Sequence, residues 1–503
     1  MYGRPGNLLG AIESVDEDGT VPHLPRVLLF AVAALVALVI LCVINRPTGP
    51  VTLAILGATA IIPIWKLWSL AKRDLPWLAF ALILIQLLDG LFFLTEQVRP
   101  IITYGLTFLF CLPALPTLWA AWKAHSSTFR LYLLFCLWCL ISVFYSIAPE
   151  FSLSRLVRNV FLFAAITACS IAARKLGGPK PIMRALMAAA IAVTAITCAS
   201  MLLPHSLTWS TGDDDATIQN MATVDNGDAL PRFRGLFGNP NEVGELAGLT
   251  AGLILSYLAF ADKKQRIALI LIALIAVALA VIADSRSDLI GLAIGSTLYL
   301  CWRYGLRGIV LIGALGTVGL LSLKLLGESA ASYIWRGDVW SLTGRTDIWQ
   351  FALREIAGRP LTGYGWAVGG AIFSSKYFPI WFGPWDLGPH SSIHSGYLTC
   401  MVGVGVPATL FWLFIILRPW VALFRQAEDP WALKRSFFFL AVPMLIINLD
   451  ESMITDCAGA AGFLFMMLWA LAEQYRLVVI ANDRLARQRA LKNSPPAVAA
   501  LVS

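Results

Sequence analysis

The stretch 388-GPHSSIHSGYLTCMVGVGVPATLFW-412 decides the class of fold. After His394 the chain runs apolar to Arg418 without a charged residue. That is enough to cross a hydrocarbon core about 30 Å thick, which takes about 20 residues in a helix. At its mouth stand His390 and His394, two of only five histidines in 503 residues. A histidine pair where a loop enters a bilayer raises the question of which face the mouth opens on and what surrounds it.

The rest of the chain repeats the pattern. Hydrophobic residues make up 58% and charged residues only 14%, against about 25% charged in ordinary soluble domains. Apolar segments of spanning length fall at 26–44, 51–69, 76–95, 101–122, 129–147, 156–173, 182–203, 241–261, 265–283, 287–302, 307–326, 395–417, 436–455 and 459–480. The expectation is an all-α polytopic integral membrane protein with about 12–14 transmembrane helices and no independent soluble domain. Its nine cysteines all lie in apolar segments or at their edges, which speaks for packing rather than a disulfide framework. The first apolar run, from Val27, is too long for a signal-peptide core and reads as an uncleaved span.

Basic residues orient the chain, because cytoplasmic loops carry the excess of Lys and Arg. With the N-terminus inside, the inner turns hold Lys72 and Arg73, Lys123 and Arg130, Arg174 and Lys175, Lys263 and Lys264, Arg303 and Arg307, and Arg425, Lys434 and Arg435. The outer turns hold few: Arg46, Arg99, Arg155, Arg158 and Arg286. The net charge of +8 is then mostly topology, and no nucleic-acid partner is implied. The organisation expected is a cytoplasmic tail (1–25), an N-terminal transmembrane bundle (26–203), an external loop (204–240), transmembrane helices (241–326), a large external loop (327–394), C-terminal transmembrane helices (395–480) and a cytoplasmic tail (481–503). Within the larger loop, "TDIWQFALREIAG" has helical periodicity: Ile348, Ala352 and Ile356 share a face and Gly358 supplies a stop.

Polar residues at the outer face carry the functional candidates. In "PRFRGLFGNPNEVGE", Asn239 reads as a helix N-cap, Pro240 as the first helical residue and Glu242 as its capping-box partner. Arg232 and Arg234 stand just before that helix start, where backbone N–H groups already favour an anion. Arg286, in "ADSRSDLIGL", either pairs locally with Asp284 or Asp288 or faces a ligand. Arg345 precedes the amphipathic loop helix. Guanidinium forks suit phosphate oxygens, so these arginine sites at helix starts suggest a diphosphate ligand. His394 opens a span, and an imidazole there is the natural general base for a hydroxyl. His390 is better read as a structural residue beside Pro389. Asp213–Asp215 read as solvated. Asp450 and Glu451, in "NLDESMITD", are costly at a span end unless paired and could orient the histidine or bridge an arginine.

In order and spacing, these segments resemble the O-antigen ligase and polymerase superfamily with its Wzy-C type domain, over about residues 150–475. The likeness rests on "RGLFGNPNEVG", "SRSDLIGL", "GRTDIWQFALREIAGRPLTGYGW", "DES" and "HSGYLTCMVGVGVPA", the last with Ala408 where the family pattern has a closing glycine. The resemblance implies a metal-independent glycosyltransferase of the C-type membrane class in the bacterial inner membrane, with no cofactor. It would move a saccharide from undecaprenyl diphosphate to a glycan hydroxyl at the outer face. The leading reading is a polymerase of exopolysaccharide or O-antigen repeats, the alternative a ligase to lipid A-core. Other polysaccharide-assembly proteins are further expected partners. By the same resemblance His394 is the base or acceptor-orienting group, and Arg232 or Arg234, Arg286 and Arg345 grip the leaving diphosphate. A transporter or flippase of the same lipid-linked sugar is the rival; it would place polar groups near the midplane and alternate access, whereas here the unusual charges cluster at one face. A non-enzymatic assembly protein is the third reading. Reporter fusions after residues 220 and 375 are expected to read external, and fusions after 264 and 430 cytoplasmic; an external signal after 264 breaks the one-sided site and favours the transporter.

Overall fold

The computed structural model describes residues 64–87, 98–123, 126–210, 232–237, 239–326, 345–369, 372, 393–452, 454–455 and 457–493. The expected span 26–44, most of 51–69, Asp213–Asp215 and His390 lie outside the described residues.

The described residues are helical almost throughout. In order come α1 (Leu75–Leu87), α2 (Val98–Cys111), α3 (Pro116–Lys123), α4 (Ser127–Val143), α5 (Pro149–Lys175), α6 (Lys180–Ala199), α7 (Pro240–Tyr257), α8 (Lys263–Ile282), α9 (Arg286–Tyr304) and α10 (Leu306–Leu326). Then follow α11 (Arg345–Gly358), α12 (Gly396–Phe424), α13 (Leu433–Ser436), α14 (Val442–Ile447) and α15 (Gly459–Asn493). Between α6 and α7 a two-residue antiparallel ladder, β1 (Trp209–Ser210) with β2 (Arg232–Phe233), pairs Trp209 with Phe233 and Ser210 with Arg232. Among the described residues five helices are long and apolar enough to cross a membrane: α5, α6 with the turn after it, α8, α12 and the first 28 residues of α15. The protein is an all-α polytopic membrane protein.

Residues 463–472 of α15 are buried around the whole helix circumference, which makes α15 the central helix of the bundle. Trp469 sits at its middle against Phe129, Tyr132 and Phe163, at ring distances of 5.5, 5.6 and 6.3 Å, and donates Nε1–H to the Ile415 carbonyl at 3.1 Å. Helix α8 lies at the edge, with Ile267, Ile270, Leu271, Leu274 and Ile275 exposed. In lipid such a surface costs nothing, and helix association rests on close packing and hydrogen bonds.

Three expected spans take a different form. The segment 101–122 breaks into α2, a short 3₁₀ turn at Leu112–Ala114 and α3, because Pro113 and Pro116 cannot continue the helical ladder. The segment 156–173 belongs to a longer helix beginning at Pro149, so Arg158 is no turn residue. It is 1% exposed, donates Nη2–H to Gln86 Oε1 at 2.7 Å and lies 4.8 Å from the Tyr104 ring. The segment 436–455 is not one helix: a π turn at Phe437–Ala441 leads into α14, which stops at Ile447. The described residues from Asn448 to Ala458 are not helical.

Helix α12 is itself opened at Gly405, where φ is +83° and ψ 167°. The exposed backbone is taken up by the segment "PLTGYGW" that follows α11. Tyr364 N–H donates to Val402 O at 2.9 Å, Gly365 N–H to Gly403 O at 2.8 Å and Val406 N–H to Pro360 O at 2.8 Å. The same segment is fastened to the α4–α5 turn, with Trp366 N–H on Ser142 Oγ at 2.9 Å and Ser152 Oγ–H on Trp366 O at 2.7 Å. Helix α11 lies on α12 through Phe351, Ala352 and Ile356, joined by Tyr364, Val368, Ile393 and Val402 in a small second core. A Cβ on Gly405 would stand 2.4 Å from Leu361 O, and its φ is one that side-chain-bearing residues avoid. Gly405→Ala is therefore expected to lower the thermal midpoint of the purified protein clearly. Gly313→Ala, in open space on α10, should leave it unchanged or slightly raised; equal midpoints for both variants would contradict this account of the break.

Candidate active site

The site is built where the starts of α7, α9 and α12 meet the chain leaving α14. At the first of these, Asn239 has extended backbone (φ −129°, ψ 135°) and its Oδ1 accepts Asn241 N–H at 2.9 Å, with Pro240 as the first helical residue. Asn239 is thus the N-cap expected from "GNPNE", but its side chain takes Asn241 N–H rather than the Glu242 N–H of a capping box, which bonds the Asn239 carbonyl instead. The ladder upstream and the Thr208 carbonyl, which accepts both Arg234 N–H at 2.9 Å and Gly235 N–H at 3.0 Å, aim Arg232 across the start of α7.

Arg232 is deeply engaged. Its Nε–H donates to the Ala283 carbonyl at 3.1 Å, and Nη2–H to the Asp284 carbonyl at 3.2 Å and Asn241 Oδ1 at 2.7 Å. One guanidinium thus fastens the α8–α9 turn to the first turn of α7. In that turn Asp284 has φ +51°, and its carboxylate receives Arg286 Nε at 3.3 Å, with Arg286 38% and Asp284 14% exposed. Ser285 Oγ–H donates to Asp288 Oδ2 at 2.5 Å. The local pair open to Arg286 on sequence grounds is made, and it is made to Asp284.

Asn241 passes the line on. Its Nδ2–H donates to Glu451 Oε1 at 3.2 Å, while Glu451 Oε2 stands 3.2 Å from His394 Nδ1. Arg232, Asn241, Glu451 and His394 therefore form one continuous polar chain. A carboxylate only accepts hydrogen bonds, so Nδ1 carries the proton and Nε2 is left as the basic atom. The side chains of His394 and Glu451 are 20% and 15% exposed, sheltered yet reachable. The backbone is held as firmly: His394 has φ +50° and its carbonyl accepts Trp349 Nε1–H at 3.3 Å. Ser395 caps α12, and Gly396 N–H donates to the carbonyls of Asn448 at 2.9 Å and Glu451 at 3.2 Å. A Cβ on Gly396 would stand 2.1 Å from Asn448 Oδ1. His394 thus precedes the cap of α12 rather than lying in its first turn, and a strained backbone aims its ring. Left-handed geometry away from glycine clusters at functional sites; here Asp284 and His394 are such residues on either side of one site.

The remaining expected residues fall around this chain. Arg234 and Glu242 are half-buried at the α7 start, Asp450 is half-buried beside Glu451, and Arg345 opens α11 one turn before Trp349. His390 lies outside the described residues. Sequence reasoning did not pick out Asn241, Trp349 or Asn448. Asn241 had a signal, a second amide straight after a capping Asn-Pro; Trp349 and Asn448 had none.

Residues 270–413 match the family model described as O-antigen ligase (Wzy_C). The match takes in Arg286, Arg345 and His394, while Arg232, Asn241 and Glu451 join the site from outside it. No curated protein matches the chain. Replacing Asn241 by Leu leaves polar groups of Arg232 and Glu451 without this partner, which typically costs about 1–3 kcal/mol. Asn241→Leu should therefore destabilise the purified protein measurably in thermal unfolding. Asn239→Ser, which can still cap α7, should not.

Proposed function

We propose that this membrane protein with an O-antigen ligase-type domain is a glycosyltransferase. It moves a saccharide from undecaprenyl diphosphate to a hydroxyl acceptor at the outer face of the bacterial inner membrane. The observation that carries this reading is the His394–Glu451 pair, held by Asn241 and set beside arginines at helix starts.

In the proposed step, His394 Nε2 takes the proton of the acceptor hydroxyl as its oxygen forms the new bond to the anomeric carbon. The bond from that carbon to the diphosphate oxygen breaks, and the leaving group departs with the electron pair. Glu451 keeps the imidazole in the tautomer that exposes Nε2 and offsets the positive charge the ring acquires. Arg286, Arg234 and Arg345 are assigned to the diphosphate, where charge builds as the bond breaks and fixed donors are worth most. Arg232, with three hydrogen bonds inside the protein, is assigned to holding the frame. His394, Glu451, Arg232 and Arg286 meet at one end of α7, α9 and α12, which supports a one-sided transfer over an alternating-access transporter.

Polymerisation of repeat units remains the leading acceptor assignment. The description of the matched family favours ligation to lipid A-core as the second. A deletion strain separates them: accumulation of undecaprenyl-linked single repeats marks a polymerase, and finished unattached chains mark a ligase. In either case His394→Ala at matched expression is expected to cost about 10²–10⁴-fold in transfer, the usual worth of general base catalysis. Arg286→Lys, which keeps the charge but loses the fork, should also fall substantially. Normal glycan from the His394 variant would remove the base from this site, and full activity of the lysine variant would remove bidentate phosphate binding at Arg286.

A further inference from the structure

Helices α8, α9 and α12 each have one end at the His394 site, and their other ends define the opposite membrane face. Arg266 lies on the first turn of α8, about 25 Å along the helix from the Ala283 turn at 1.5 Å per residue. Beside it, on α13, stands Arg435. Its guanidinium lies 5.5 Å from the Tyr299 ring and 5.6 Å from the Phe439 ring, two rings that pack on each other at 4.7 Å. Arg266 and Tyr304 act on it electrostatically, Arg266 as a like charge.

Four other basic groups at this end are supplied with acceptors by the protein, and Arg303 stacks over the Tyr304 ring at 5.7 Å. Lys434 Nζ donates to the carbonyls of Gln426 and Ala427, Arg130 Nε–H to Trp122 O, Arg418 Nη2–H to Ser127 Oγ, and Arg476 to both Glu473 oxygens. Arg435 differs: its Nε is buried, with no hydrogen-bond acceptor among the described residues. Arg266 offers only Nε–H to the Ala261 carbonyl. The nearest acid on α8, Asp262, spends its carboxylate on the Gln265 N–H as helix cap. Arg435 is thus a cation fixed on an aromatic platform of α9 and the π turn, with a second like charge, Arg266, acting on it from α8. Such an arrangement is repulsive by itself and becomes favourable when an anion bridges it. The exposed rim is apolar and aromatic, with Trp302 46%, Tyr304 53% and Leu306 75% exposed, which suits the glycerol and acyl part of a lipid rather than a soluble anion.

We propose that Arg435 and Arg266, with Tyr299 and Tyr304, form a binding site for the phosphodiester headgroup of an anionic phospholipid at the face opposite His394. Guanidinium forks take phosphate oxygens in pairs, and basic pockets between membrane helices recognise such headgroups. The full-length protein in nanodiscs of phosphatidylcholine, with or without phosphatidylglycerol or cardiolipin, tests this by native mass spectrometry and thermal unfolding. Wild type should retain anionic lipid and gain thermal stability from it. Arg266→Gln, at an exposed position, and Arg435→Gln should each weaken retention about fivefold, the usual worth of one basic residue at a membrane surface. Arg435→Lys should recover part of the loss. Arg425→Gln removes the same charge at the end of α12 and should retain lipid like wild type. Wild-type retention in the Arg266 and Arg435 variants overturns the site, as does an equal loss with Arg425→Gln, which would mean a diffuse surface charge only. Full displacement by millimolar inorganic phosphate overturns the lipid assignment in favour of a free anion.

Discussion

Backbone N–H groups that leave helical geometry inside a membrane bundle have no water to turn to, and each one left unpaired costs several kcal/mol. The chain between α14 and α15 meets this constraint with side-chain carbonyls. Asn448 Oδ1 accepts Ile454 N–H at 3.1 Å and Asn159 Oδ1 accepts Cys457 N–H at 2.8 Å. Gln86 Oε1 accepts Gly459 N–H, and Glu245 Oε1 accepts Ala461 N–H, each at 3.1 Å. These acceptors come from α1, α5, α7 and the end of α14, so the irregular segment is tied to much of the bundle. Arg158, buried in α5, supports Gln86 in turn. These bonds hold the non-helical connection in place, and Glu451 is on it.

The same economy operates at the break in α12. Gly405 opens the helix, and the "PLTGYGW" segment fills the vacated hydrogen-bonding positions. Two stretches about 40 residues apart in sequence are thus one structural unit. It sets where α11 lies, and α11 brings Trp349 to the His394 carbonyl. The histidine is therefore fixed from two directions, by α11 through its backbone and by the α14–α15 connection through its ring.

A consequence for the chemistry is that few of the polar side chains at the site are expendable. Arg232 looked, from its place before a helix start, like one phosphate ligand among several. Its three hydrogen bonds make it the fastening between the α8–α9 turn and Asn241. Electrostatic preorganisation of this kind, with donors and carboxylates held before substrate arrives, is where much catalytic power usually resides.

The sequence by itself determined that the chain is a helical membrane protein, because twenty-residue apolar stretches follow from bilayer thickness alone. It also determined the helix starts at Asn239 and near Arg286 and Arg345, since caps, prolines and amphipathic spacing are local properties. It pointed to His394 as a candidate base and to Asp450 and Glu451 as acids too costly to sit at a span end without a partner. The tertiary structure decided which partner each took. Asn241 between Arg232 and Glu451, Trp349 on the His394 carbonyl, and the helix break at Ile447 all depend on residues distant in the chain meeting across helices. Local periodicity carries no record of such meetings: a buried amide or an opened helix is stable only once the acceptor from another helix is in place.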